Sequence, residues 1–176
     1  MNYHNITYPD MNNGDGLRVV LWLSGCSHHC YNCQNPQTWD VNSGIPFDES
    51  AKEELFRELD KDYISGLTLS GGDPLHEANL DGVLDLVNKI RLSFPNKTIW
   101  IYSGYRWTEI FNDGVYLTRD CAGWKRREII KKCDVMIDGK YMDSLRDPQL
   151  KWKGSSNQHV INIEKSMIKG EIVLWD

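Results

Sequence analysis

Ser24-Gly25-Cys26-Ser27-His28-His29-Cys30-Tyr31-Asn32-Cys33-Gln34-Asn35-Pro36 is the stretch on which the reading of this chain turns. Three of the five cysteines fall within it, spaced C-x3-C-x2-C. Thiolates are soft ligands, and three so close in sequence can wrap one metal centre. A structural zinc site usually takes four protein ligands from paired short motifs, and no matching second pair follows here. Three thiolates suit a four-iron cluster with one iron left open, because ordinary clusters of this type take four. The alternative is a zinc knuckle with His28 or His29 as the fourth ligand. Otherwise the two histidines read as loop residues.

Outward from the cysteines, the chain alternates strand and helix. Leu17 to Leu23 is a nearly continuous apolar run, as expected of a strand buried on both faces. It delivers the cysteine loop to its carboxyl end, where α/β folds place their ligands. Residues 1–16 read as turn-rich, which would make this the first strand. Asp48 to Asp60 predicts a helix with Ala51, Leu55 and Leu59 inward and Glu53, Glu54, Arg57 and Glu58 toward water. Asp48 or Ser50 is the candidate cap.

Gly66 to Ser70 predicts the second strand, followed at once by Gly71-Gly72-Asp73-Pro74. Glycines let backbone approach a ligand, and the carboxylate can accept hydrogen bonds from an ammonium group. A helix follows over Glu77 to Ser93, stopped by Pro95. Thr98 to Tyr102 predicts a third strand closed by Ser103-Gly104-Tyr105. A turn at Asn112-Asp113-Gly114, a helix near Trp124 to Lys131 and a fourth strand at Asp134 to Gly139 come next. Two β-like pieces, Val160 to Ile163 and Glu171 to Trp175, end the chain.

This βαβ order implies a mainly parallel sheet. The 176 residues are too few for a full eight-stranded barrel of ~250. The expected fold is therefore α/β, an open partial (β/α) barrel with a curved sheet, as a single domain over residues 1–176. A formal charge of −5 argues against a general nucleic-acid binder. No run approaches the ~18 apolar residues of a membrane span, and the polar start lacks a signal-peptide pattern. A cytoplasmic location is expected. Thiols stay reduced there, so clustered cysteines point to metal or redox chemistry.

The C-x3-C-x2-C spacing resembles that of the radical S-adenosylmethionine (SAM) superfamily. Further segments resemble one branch, the activating enzymes of anaerobic (class III) ribonucleoside-triphosphate reductase. They are Met1-Asn2-Tyr3, Val19 to Cys33 with Asn35, Thr38-Trp39, Gly66 to Leu75, Ile99-Trp100, Gly104-Tyr105, Ile137 to Lys140, and Trp152 to Gln158. The chain departs from the family pattern at Asp15, where proline is usual, and at Gln34, where an aromatic residue is usual. It departs again at Lys153, where arginine is usual, and over 112–127, which looks like an insertion.

The resemblance implies that Cys26, Cys30 and Cys33 hold a [4Fe-4S] cluster whose open iron is chelated by SAM. It assigns Gly71, Gly72 and Asp73 to the methionine end of SAM. Asn32, Cys33 and Gln34 are assigned to its adenine through backbone contacts, and Ser103, Gly104 and Tyr105 are candidates for the nucleoside pocket. The implied activity is reductive cleavage of SAM to methionine and a 5′-deoxyadenosyl radical. That radical takes a hydrogen atom from a backbone glycine of the reductase large subunit. A flavodoxin or ferredoxin is the implied electron donor. The rival readings are a small SAM enzyme acting on a low-molecular-weight substrate and a zinc-stabilised interaction module.

Cys121 and Cys133 have no partner at metal spacing and are expected to be buried thiols. Lys125, Arg126 and Arg127 read either as a solvated helix face or as a contact for an acidic partner. Gly154 to Gln158 fits equally a capped turn or a pocket wall.

Overall fold

The computed structural model describes residues 1–111 and 121–176. The Asn112-Asp113-Gly114 turn and the first part of the 112–127 insertion lie outside the described residues. Among the described residues, seven strands form one sheet: β1 (Asn2–Asp10), β2 (Arg18–Leu23), β3 (Ile45–Pro46), β4 (Gly66–Gly71), β5 (Thr98–Tyr102), β6 (Val135–Asp138) and β7 (His159–Asn162). Their order is β3-β1-β2-β4-β5-β6-β7. The middle pairs, β2–β4, β4–β5 and β5–β6, are parallel. The outer pairs, β1–β2, β1–β3 and β6–β7, are antiparallel.

The expectation of a mainly parallel sheet therefore holds for the centre and is corrected at both edges. β1 is the main reason. Its Tyr3 and Ile6 are buried, whereas Asn5, Tyr8 and Pro9 are exposed, so it pairs with β2 as a half-covered strand of the kind antiparallel sheets tolerate. Residues 2–10 are thus strand rather than turn, and the cysteine loop follows the second strand, not the first.

The helices are α1 (Glu49–Leu59), α2 (Leu80–Ser93), α3 (Trp107–Ile110), α4 (Ala122–Lys131) and α5 (Ile163–Lys169). In α1, Asp48 Oδ1 accepts from Ala51 N at 3.0 Å, and Ala51, Leu55 and Leu59 are buried as expected. Glu58 differs: it is buried and meets Lys61 and Arg57 rather than water. α2 buries Leu80, Val83, Leu86, Val87 and Ile90 against the sheet. The tail carries a second correction. Glu171 to Trp175 is not a strand; Leu174 makes one isolated bridge to Ile161. α5 and the left-handed Gly170 (φ 71°) turn the chain back across β7 for only a few bonds, among them Asn162 N to Val173 O at 2.8 Å.

Arg18 anchors the amino-terminal end of the parallel strands, and no sequence pattern pointed to it. Its side chain is fully buried. Nε donates to Thr68 Oγ1 at 2.7 Å, Nη1 to Asp15 O and Thr98 Oγ1 at 3.0 Å, and Nη2 to Leu67 O at 2.6 Å and Thr98 O at 3.0 Å. The guanidinium lies 5.2 Å from the Trp100 ring centroid. Burial lowers its pKa to about 10, which leaves it charged at neutral pH. Arg18→Met keeps length but orphans several buried acceptors. It is expected to lower stability by roughly 3 kcal/mol, read as the urea midpoint of the metal-free protein. An unchanged midpoint would contradict this role.

Candidate active site

The three predicted cysteines come together. Cys26, Cys30 and Cys33 are half-buried free thiols, and all three line one open cavity of about 550 Å³ beyond the carboxyl ends of the parallel strands. Gly71, Gly72 and Asp73 line the same cavity from the end of β4, and Ser103 and Gly104 from the end of β5.

The cysteine loop is held by its own backbone. Gly25 N donates to Thr38 O at 2.7 Å, Cys26 N to Trp39 O at 3.0 Å, and Cys33 N to Cys30 O at 3.1 Å. His29 and Asn32 take positive φ of 47° and 53°, turning the chain between ligands. Burial pushes the Cys26 thiol up to about 11, and the Cys30 thiol upward as well. Metal binding must therefore displace their protons.

The glycine loop docks on the base of the cysteine loop. Gly72 N donates to Leu23 O and Asp73 N to Gly25 O, both at 2.7 Å. Gly71 has φ 101°, and a Cβ there would lie 2.6 Å from Leu23 N; one at Gly72 would lie 2.5 Å from Gly25 O. Only glycine fits this approach. Asn79 Nδ2 ties the two loops by donating to Ser24 O at 2.8 Å and Asp73 O at 3.1 Å.

The Asp73 carboxylate is 2% exposed and richly bonded. Oδ1 accepts from Leu75 N at 2.8 Å and Ser103 Oγ at 2.9 Å. Oδ2 accepts from Gly104 N at 3.0 Å and lies 2.6 Å from His28 Nε2. It joins the ends of β4 and β5 to the cysteine loop. The His28 ring packs edge-to-face on Tyr105 at 4.8 Å, and Arg126 Nη2 donates to Tyr105 OH at 3.0 Å.

Cys33 and Gln34 also wall an adjoining cavity of about 600 Å³ with Trp22, Ser70 and Tyr102. Asn32 lines neither cavity; its Nδ2 donates to Asp143 Oδ2 at 3.2 Å. The Gly154 to Gln158 segment is both things left open by its sequence. Gln158 Oε1 accepts from Gly154 N at 3.0 Å and Ser155 N at 3.1 Å, while Gln158 lines both cavities.

Comparison with known proteins agrees with this geometry. A family model described as a 4Fe-4S single cluster domain matches residues 12–161. The chain is 40% identical over 162 residues to the anaerobic ribonucleoside-triphosphate reductase-activating protein of Escherichia coli K12, covering 91% of this chain and 97% of that one. It is 41% identical over 160 residues to the protein of that name from Enterobacteria phage T4, covering 91% and 93%. The Vibrio cholerae protein is 37% identical over 160 residues, covering 90% and 96%. The chain belongs to the family of anaerobic ribonucleoside-triphosphate reductase-activating proteins.

The family resemblance read from the motifs is thereby borne out, and the donor set fits the family's cluster. Three free cysteines line one cavity, and soft thiolates are the ligands iron–sulfur clusters take. Sequence reasoning weighed His28 only as a loop residue or a fourth zinc ligand, not as the partner of Asp73, and it passed over Asn79 and the bond from Ser103 to Asp73. Their work is to fix loops, which leaves no periodic trace. Cys133 is buried as expected. Cys121 is only half-buried and caps α4, accepting from Trp124 N at 3.3 Å. The α4 cations meet the protein itself: Lys125 pairs with Asp81 at 2.6 Å, Arg126 Nε donates to Leu75 O at 3.0 Å, and Arg127 Nε donates to Ile110 O at 2.6 Å.

Proposed function

We propose that this chain, as a single radical SAM domain in an open partial (β/α) barrel, activates an anaerobic ribonucleoside-triphosphate reductase. The observation that carries the reading is the shared cavity, where three thiols face a Gly-Gly-Asp loop in a chain of this family. A [4Fe-4S] cluster held by Cys26, Cys30 and Cys33 would supply the one-electron reduction that cleaves the sulfonium C5′ bond of SAM, giving methionine and the 5′-deoxyadenosyl radical that would take a hydrogen atom from a glycine of the reductase.

The chain's own residues bind and orient. Cys26, Cys30 and Cys33 hold the cluster. Gly71, Gly72 and Asp73 offer backbone carbonyls to the SAM ammonium, with the Asp73 carboxylate stationing that loop. Cys33 and Gln34 border the adenine from the adjoining cavity, and Asn32 shapes the turn that presents them. The cavity opens outward, so the reductase itself covers the mouth and excludes water from the radical.

A flavodoxin or ferredoxin provides the electron, and the setting is the cytoplasm. Among the described residues no helix is long and apolar enough to cross a membrane. Anaerobic reconstitution with iron and sulfide, reduction, and addition of SAM and the reductase should give a glycyl radical signal with matching 5′-deoxyadenosine. Stoichiometric zinc with no cluster signal would end this reading. 5′-Deoxyadenosine formed without a radical on the reductase would point to a small substrate instead.

A further inference from the structure

We propose that the indole N–H of Trp39 donates a hydrogen bond to a sulfur of the centre held by Cys26, Cys30 and Cys33, and so raises its reduction potential. This rests on the cluster reading above. Trp39 stands in the wall of the cavity that all three thiols line. Its Nε1 is buried and has no hydrogen-bond partner among the described residues. Buried donors in folded proteins nearly always have a partner, and a lone one points to a group outside the chain.

Sulfide and thiolate sulfurs are acceptors. Hydrogen bonds to them are among the levers that set cluster potentials. The donor favours the more negative state, which is the reduced one, so removing it lowers the potential.

The Trp39 backbone is tied to the first ligand. Cys26 N donates to the Trp39 carbonyl at 3.0 Å, and the preceding Thr38 Oγ1 donates to Asn35 O at 2.7 Å. His29 packs edge-to-face on the indole at 4.8 Å. Trp175 also has a buried N–H with no partner among the described residues, but its ring packs on Trp100 in a separate apolar cluster. Trp39 is the one of the two that shares a cavity with the thiols.

Trp39→Phe keeps an aromatic ring and deletes the N–H. The reconstituted variant should hold the full complement of iron and sulfide. At the solution potential that half-reduces the wild-type cluster, its ratio of reduced to oxidised cluster should fall roughly three- to tenfold. A second measurement uses wild-type protein grown with 15N-indole tryptophan. Pulsed electron paramagnetic resonance of the reduced cluster should show a 15N coupling that Trp39→Phe lacks.

A full cluster with an unshifted potential overturns the inference, as does the absence of 15N coupling in the wild type. The wild-type measurement decides alone if the variant does not fold. Failure of the wild type to assemble any cluster overturns the cluster reading instead.

Discussion

Cys30→Ala is expected to yield a folded protein that retains little iron and forms no measurable glycyl radical. On the proposed assignment each of the three thiolates would hold one iron, and the two left in this variant would not retain a four-iron centre. Even outer-shell partners of metal ligands are worth about 10–100-fold in affinity or activity, so loss of a direct ligand should cost more than roughly 100-fold. The fold should survive. Cys30 is half-buried in a loop outside the apolar core, and its neighbours are held by backbone bonds that alanine preserves. Its removal should change the stability of the metal-free protein by less than about 1 kcal/mol.

The other two cysteines provide the contrast. Cys133→Ala removes a thiol 5% exposed within the core, so it should lower stability yet leave iron content intact. Cys121→Ala, at the start of α4, should affect neither strongly. Iron counting, ultraviolet–visible absorption and electron paramagnetic resonance on the three variants test the assignment. Full iron in Cys30→Ala, or cluster loss in either of the others, would refute it.

The parts of this molecule that were legible in its sequence are those with a period or a spacing. β2, β4 and β5 announce themselves as short apolar runs because parallel strands are covered on both faces. α1 and α2 show helical stripes. The cysteines and the Gly-Gly-Asp loop are visible because their chemistry restricts residue type at fixed separation. β1 was missed because its Asn, His, Thr and Asp residues are those of a half-exposed strand, and the adjacent Asn12-Asn13-Gly14 cluster outweighed Tyr3 and Ile6.

Tertiary polar bonds were illegible for a different reason. Arg18 reaches Thr98 across 80 positions, and Ser103 reaches Asp73 across 30. Neither partner marks the other locally. Glu58 shows the same limit. Its place on α1 reads as solvent-facing until Lys61, just past the helix, folds back over it.

Asp73→Ala is expected to damage both the fold and SAM binding. The buried carboxylate holds Leu75 N, Gly104 N, Ser103 Oγ and His28 Nε2 at once. Deleting it strands donors from three separate elements, at a stability cost of about 3 kcal/mol. Because these donors set the ends of β4 and β5 and the cysteine loop relative to one another, SAM affinity should also fall by at least roughly tenfold, or about 1.4 kcal/mol.

Asp73→Asn tests whether shape suffices. An amide has one oxygen, so its NH₂ must face either Leu75 N–H or Gly104 N–H, and neither backbone donor can turn into an acceptor. Asparagine should therefore lose much of what alanine loses. Ser103→Ala removes one donor and leaves the carboxylate three others, and should cost less than either. Combining Asp73→Ala with Ser103→Ala should destabilise by less than the sum of the two, since the serine is already stranded in the single variant. Urea midpoints and SAM titrations on the reconstituted proteins measure both effects. Additive stability losses with unchanged SAM affinity would show that Asp73 is not the tie between the two strand ends.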